Sequence, residues 1–326
     1  MGNINFKLSI IIPMYNVEKY IGNCLDSILN SDLPEGDYEV IIVNDGSTDN
    51  SPIIAQKYVS RCPHFIYLTQ ENQGQSVARN YGVRNASGEY VWFIDSDDKI
   101  DKNINQILNK IDELGKPDLF SFYLRYVTED DVFITKAFKF PGEYNKVLSG
   151  KEAVINGYQP SSVCVFFIKK TYLDTEELSF YPGIYHQDSE FTYRMMSHAQ
   201  RVYFSEYVPY IYIKHENTVV TSTSKEKVLK KKLDDIIIIK SFQKLSRDFH
   251  DSDPVLSKVI TNHCNGMIFG IVYSLYKDKK KGKSEGINKT VLNELKENNL
   301  YPLKGPFDSW KKRIASIFLN IEPFIS

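Results

Sequence analysis

Residues 38–59 read YEVIIVNDGSTDNSPIIAQKYV: an apolar run, a turn at Asn44-Asp45-Gly46-Ser47, then a helix that Thr48 or Asp49 caps and that runs to about Val59. A β-branched run without alternation fits a strand buried on both faces, as in a parallel sheet covered by helices. The same phrase recurs on either side. Leu8–Ile12 is another such strand, stopped by Pro13, and Val17–Leu29 carries helical spacing at Val17, Ile21, Leu25 and Ile28. Phe65–Leu68 and Ser76–Asn85 make a third strand–helix pair, and Tyr90–Ile94 is a fourth strand. The alternation predicts βαβ units, hence an α/β fold with a doubly wound, mostly parallel sheet. Ligands of such sheets collect at the carboxyl ends of the strands. Those ends hold Tyr15-Asn16, Asn44-Asp45-Gly46 and Asp95-Ser96-Asp97-Asp98.

Past Asp98 the pattern loosens. Helices are expected over Asn103–Leu114, from a Ser149 cap to Gly157, and over Gln187–Met196. Strands are expected at Leu119–Tyr123, Val163–Ile168, Val202–Phe204 and Tyr210–Ile213, with a hairpin or meander over Arg125–Phe140 around Glu129-Asp130-Asp131. From Lys225 the chain reads as helices, the first running to Phe249. Charge changes there too. The net charge is −1, but residues 225–326 carry 20 Lys+Arg against 12 Asp+Glu, a balance of +8 that leaves −9 for residues 1–224. An acidic front suits a metal or polyol site, and a basic rear suits an anionic surface. With none of the usual nucleic-acid motifs present, an anionic membrane face is favoured over nucleic acid. The four cysteines show no metal spacing and read as thiols in a reducing compartment. The N-terminus lacks the apolar core of a signal peptide, and no apolar stretch reaches the ~20 residues of a spanning helix. A cytoplasmic, peripheral protein is expected.

The strongest chemical signal is Asp95-Ser96-Asp97-Asp98 at the end of a buried strand. Clustered carboxylates repel one another, and a divalent cation with hard oxygen ligands, Mg²⁺ or Mn²⁺, relieves the repulsion while bridging to phosphates. The plainer alternative is a solvated acidic turn. Asp45 ends another buried strand, placed to accept an N–H from a base or to close an Asx-turn. In Asn72–Asn80 small polar residues open a helix with Arg79 one turn inside, a natural diphosphate site or a capped helix with a surface arginine.

Four blocks carry a family resemblance: SIIIPMYNVEKYI (9–21), EVIIVNDGSTDNS (39–51), ENQGQSVARNYGVRNASGEYVWFIDSDD (71–98) and YHQDSEF (185–191). In order and spacing they resemble glycosyltransferase family 2, inverting enzymes of the GT-A fold. The resemblance is dense over the first hundred residues, sparse over the next hundred, and absent from the tail. It implies a nucleotide-sugar-binding half (1–100) and an acceptor-binding half (101–224), while the loss of strand signals and the change of charge near residue 224 set off an added C-terminal helical region (225–326). It implies that Pro13 and Tyr15 line the base pocket and that Asp45 hydrogen-bonds the base, uracil in most relatives. Arg79 would face the base and diphosphate, Asp95 the ribose or donor sugar, and Asp97 would hold a divalent cation against the diphosphate. Asp188 matches the catalytic base. Where typical members have Glu-Asp, this chain has Gln187-Asp188, one charge fewer beside the base.

His215 ends Tyr210–His215, where many relatives place basic residues near the acceptor. It is a candidate metal or diphosphate contact, or a histidine that satisfies local hydrogen bonds. His186 is a weaker candidate, and Trp92 reads as core. In the tail, Trp310, Ile314, Ile317 and Phe318 recur at helical spacing beside Lys311, Lys312 and Arg313. That pattern fits a helix in a membrane interface or one docked on its own domain. The resulting expectation is transfer of a sugar from a nucleotide sugar, with UDP favoured, to a sugar or lipid-linked glycan acceptor in surface polysaccharide or glycolipid synthesis. Two other readings stand beside it: a nucleotidyltransferase, which would need a Gly-rich basic loop where Pro13-Met14-Tyr15-Asn16 lies, and a catalytically weak nucleotide-sugar-binding protein, which Gln187 favours.

Overall fold

Strand β1 (Leu8–Met14) is buried along its whole length and lies between β2 (Tyr38–Asn44) and β4 (Tyr90–Phe93), parallel to both. The computed structural model describes residues 6–137, 140–215, 224–282, 286–307 and 309–321. Pro13 does not stop β1. It pairs with Val43, and β1 continues to Met14. Odd-numbered β1 residues bond toward β4, as Ile11 does in accepting from the Ile94 N–H. The β4 ladder ends at Ile11–Phe93, so the N–H that Pro13 lacks has no partner to lose.

Helices α1 (Ile21–Leu29), α2 (Ser51–Val59) and α3 (Gln75–Asn85) connect the parallel strands, with β3 (Phe65–Thr69) at the edge beside β2. Helix α1 starts later than Val17 because residues 16–18 form a loop tied to the next turn. There the Val17 N–H donates to Ser51 Oγ and the Glu18 N–H to Asp49 Oδ2. Helix α3 lies close on β1, where a side-chain carbon at Gly82 would collide with Ile11.

The remaining elements are β5 (Lys99–Ile100), α4 (Ile104–Glu113), β6 (Leu119–Ser121), β7 (Leu124–Thr128), β8 (Phe133–Ala137), β9 (Val147–Leu148), α5 (Gly150–Ile155), β10 (Phe166–Lys169), α6 (Lys170–Thr175), α7 (Gln187–His198), β11 (Val202–Phe204) and β12 (Tyr210–Lys214). The large sheet runs β3-β2-β1-β4-β10-β6-β11-β9, and a smaller one runs β5-β12-β7-β8. In the large sheet β10 and β9 run antiparallel to their neighbours, and the other pairings are parallel. The expected hairpin is β7–β8. The strand expected over Val163–Ile168 begins only at Phe166, because Ser162 Oγ accepts from the Cys164 N–H and winds 163–165 into a 3₁₀ turn. The short elements β5, β9 and α6 escape a reading that looks for longer periodic runs.

Two compact units emerge: Met1–Gly183 with Gln187–Glu216, and Ile184–His186 with Asn217–Ser326. The second holds α8 (Lys225–Asp248), α9 (Pro254–Lys280), α10 (Ile287–Glu297) and α11 (Trp310–Leu319). Among the described residues no helix is long and apolar enough to cross a membrane.

Candidate active site

The carboxyl ends of β1, β2 and β4 bring the sequence-predicted residues to one edge of the sheet. Pro13 is buried in β1, and Tyr15, just past the strand, is exposed. Asp45 is buried and accepts from Gln70 Nε2 (2.7 Å), Gln73 N (2.9 Å) and Gly74 N (2.8 Å). It fastens the strap leading into α3, while Asn44 makes the Asx-type contact, accepting from Ser47 N. A carboxylate has about four acceptor sites, so Asp45 retains capacity for one further donor such as a base N–H.

Arg79, one helical turn after Gln75, is buried between two acids. Its guanidinium donates to Asp95 Oδ1 (2.8 Å) and to Asp188 Oδ1, and lies against the rings of Phe93 and Phe180. Burial opposes its charge, but Asp188 and then Asp95 outweigh that and raise its pKa above the usual arginine value. The guanidinium expected to face the base and diphosphate is thus joined to the base candidate and to the first acid of the D-x-D cluster. Asp188 opens α7, and its Oδ2 accepts from Val163 N (3.3 Å). Glu190, two residues on, is buried and held by Arg194, which leaves Asp188 as the acid open to this edge.

Gln187 also has a partner. Its Nε2 donates to Gln75 Oε1 (2.8 Å), and Gln75 Nε2 donates to Asp95 Oδ1 (2.8 Å). Asp188, Arg79, Asp95, Gln75 and Gln187 therefore form a ring that the backbone of α7 closes. Because Gln75 donates to Asp95, it shows its oxygen to residue 187, and that oxygen needs a donor. An amide at 187 supplies one, and a carboxylate would not.

The three acids after β4 differ. Asp98 is buried, accepting from Tyr210 Oη (2.6 Å) and Ile213 N (2.9 Å), so it secures β12. Asp97 is half-buried, and burial followed by Asp95 raises its carboxyl above the usual range. His215 Nε2 lies 3.7 Å from Asp97 Oδ2, and its Nδ1 is 2.7 Å from Glu129 Oε1. His215 Nε2 also lies 3.4 Å from the Asp97 carbonyl oxygen, so the imidazole bridges Glu129 and Asp97. Among the described residues no three His, Cys, Asp or Glu side chains gather as a cage. Asp97 could offer a carboxylate oxygen to a hard cation, with His215 beside it and phosphate and water as the remaining ligands. Sequence reading passed over Glu129, Gln75 and Tyr210, whose parts arise only from contacts across the fold. His186 and Trp92 stay outside this site: His186 pairs with Asp235, and Trp92 is fully buried.

The model for "Glycosyl transferase family 2" matches residues 9–167. "Uncharacterized glycosyltransferase YibD" of Escherichia coli is 30% identical over 273 residues, covering 77% of this chain and 74% of that protein. The chain belongs to glycosyl transferase family 2. TarS of Staphylococcus aureus, a poly(ribitol-phosphate) β-N-acetylglucosaminyltransferase, is 40% identical over 97 residues, 29% of this chain but only 17% of TarS. Residues 1–349 of TarS, solved with UDP-GlcNAc, align with a TM-score of 0.59 at 20% identity, covering 97% of this chain and 89% of that one. A mannosyltransferase of Pyrobaculum calidifontis, solved with GDP-Man and Mn²⁺, gives a TM-score of 0.52 at 17% identity, with 97% and 87% covered. The likeness to TarS bears out the GT-A-type sheet with its added helical region. The protein is a family 2 glycosyltransferase related to enzymes of teichoic acid and polysaccharide synthesis.

Proposed function

We propose that this glycosyltransferase moves a sugar from a UDP-sugar to a hydroxyl of a sugar or lipid-linked glycan acceptor, with inversion at the anomeric carbon. The observation that carries the reading is the Asp95–Arg79–Asp188 constellation at the carboxyl edge of the sheet. Tyr15 offers an exposed ring for the base, and Asp45 has a spare acceptor site for its N–H. Asp188 takes the acceptor hydroxyl proton as the oxygen attacks the anomeric carbon from the face opposite the diphosphate, whose C–O bond breaks. Arg79 fixes Asp188 and Asp95 relative to each other. Asp97 and His215 would hold a divalent cation, Mn²⁺ or Mg²⁺, with Asp95 close by; when bound, it neutralises charge on the departing diphosphate. Gln187 is built into the ring through Gln75, which supports an active transferase over a catalytically weak nucleotide-sugar-binding protein. The same reading places the enzyme in the cytoplasm, beside a membrane that carries its acceptor.

Calorimetry of UDP binding tests this, with Mn²⁺ or EDTA, for wild type and Asp97→Ala. Mn²⁺ should tighten binding to wild type at least ~10-fold and leave Asp97→Ala nearly unchanged, the loss expected when a ligand of a metal–diphosphate bridge is removed. Equal affinity in all four conditions rejects the cation site. Absence of UDP binding altogether rejects the donor class.

A further inference from the structure

Helix α11 seats itself by one face and leaves an apolar one uncovered. Ser316 and Leu319 are buried, and the Leu319 carbonyl accepts from Tyr301 Oη. Trp310, Ile314, Ile317 and Phe318 are 66%, 48%, 66% and 58% exposed, so the residues whose spacing suggests docking on the domain are not the ones that dock. At about 100° per residue, these four fall within an arc of about 100°, with Lys311 on one flank and Arg313 on the other. Ile321, just past the helix cap, extends the exposed set. Beside the arc opens a cleft of about 270 Å³ lined by Tyr273, Tyr276, Ala315, Phe318 and Leu319. Residues 309–321 contain Lys311, Lys312 and Arg313 and no acid.

We propose that this face of α11 docks on an anionic lipid bilayer, its apolar arc among the upper acyl carbons and Lys311 and Arg313 at the headgroup phosphates. The helix is ten residues long, about 15 Å, far short of the hydrocarbon thickness, so it lies in the interface plane rather than crossing it. Tryptophan at such a boundary keeps its ring in the acyl region and its N–H in water. A second copy of the chain is a poorer occupant, because a two-fold contact through this face would set Lys311 and Arg313 against their own kind. The inference rests on no step of sugar transfer.

Co-sedimentation of the full chain with phosphatidylcholine vesicles, with and without phosphatidylglycerol, tests it. Binding should require phosphatidylglycerol and weaken with salt. Lys311→Gln/Arg313→Gln and, separately, Trp310→Ser/Ile317→Ser should each lower partitioning about 10-fold or more, given the usual contribution of each basic residue and each buried apolar side chain. The second tryptophan, Trp92, is fully buried, so a blue shift on adding vesicles reports Trp310 and should vanish in Trp310→Phe. Wild-type protein that ignores phosphatidylglycerol, or binding that Lys311→Gln/Arg313→Gln leaves unchanged, overturns the proposal. Self-association abolished by Trp310→Ser/Ile317→Ser, without vesicle binding, would assign the face to a second copy.

Discussion

At the carboxyl edge of the large sheet, Arg79 is buried with two carboxylates around it; on α11, Trp310 and Ile317 stand in solvent. Both placements run against the ordinary sorting of residues, in which charge stays wet and large apolar groups are covered. They differ in how the cost is met. The edge meets it internally: Asp45, Arg79, Asp95, Asp98 and Asp188 each have named partners within the chain. The α11 face has no such partner among the described residues, and the proposed bilayer would supply one. A site that rearranges bonds must be preorganised before substrate arrives. A docking face need only remain soluble until it meets its surface, and the flanking Lys311 and Arg313 help keep it so.

The comparison predicts that function at the edge is far more sensitive to single atoms. Asp188→Asn should fold and bind UDP within a few-fold of wild type yet lose transfer by ~10²–10⁴-fold, the range for removal of a general base. Near-full transfer by that variant would place the base elsewhere. Next in size is Gln187→Glu, which restores the family's usual Glu-Asp pair. Here it would set a carboxylate against Gln75 Oε1, next to Asp188. Leaving two acceptors facing each other costs ~1–3 kcal/mol, so a loss of roughly tenfold in kcat is expected with UDP affinity little changed. The loss should shrink in a Gln75→Ala background, where the opposing oxygen is gone. A gain in rate from Gln187→Glu alone would show that the ring does not govern the acids.

The difference between these regions also governs what was legible in the sequence. Strands β1 to β4 are continuous apolar runs whose tips carry the polar clusters, so local pattern alone located Asp45, Asp95 and Asp97. Asp188 came from a family motif, since a lone Gln-Asp opening a helix carries no periodic signal. The pairing of Arg79 with Asp188 spans 109 residues, and the contact of His215 with Glu129 spans 86. No local rule reaches that far. Glu129 looked like one of three acids at a hairpin tip, and only the parallel pairing of β7 with β12 brings it to His215. The α11 spacing was legible, but which arc would be buried was not. Burial depends on where α9 lies, and both arcs hold residues able to pack.

The smallest expected effect is therefore the most discriminating between the two regions. Trp310→Ser/Ile317→Ser removes two of the largest apolar side chains on α11, and in a packed helix each such truncation costs several kcal/mol. Both are about two-thirds exposed here, so the pair should shift stability by no more than ~0.5 kcal/mol each, the usual range for surface substitutions. Leu319→Ala, two residues from Ile317 on the seated face, should instead cost ~2–5 kcal/mol, because Leu319 is only 4% exposed. Thermal melting of the two variants beside wild type measures both. Similar melting temperatures for the double variant and wild type, with a clear drop for Leu319→Ala, would confirm that the apolar arc does not hold the fold together. A drop in the double variant as large as that of Leu319→Ala would mean that the arc is packed in solution, and the contrast between a self-satisfied edge and an outward-facing helix would fail.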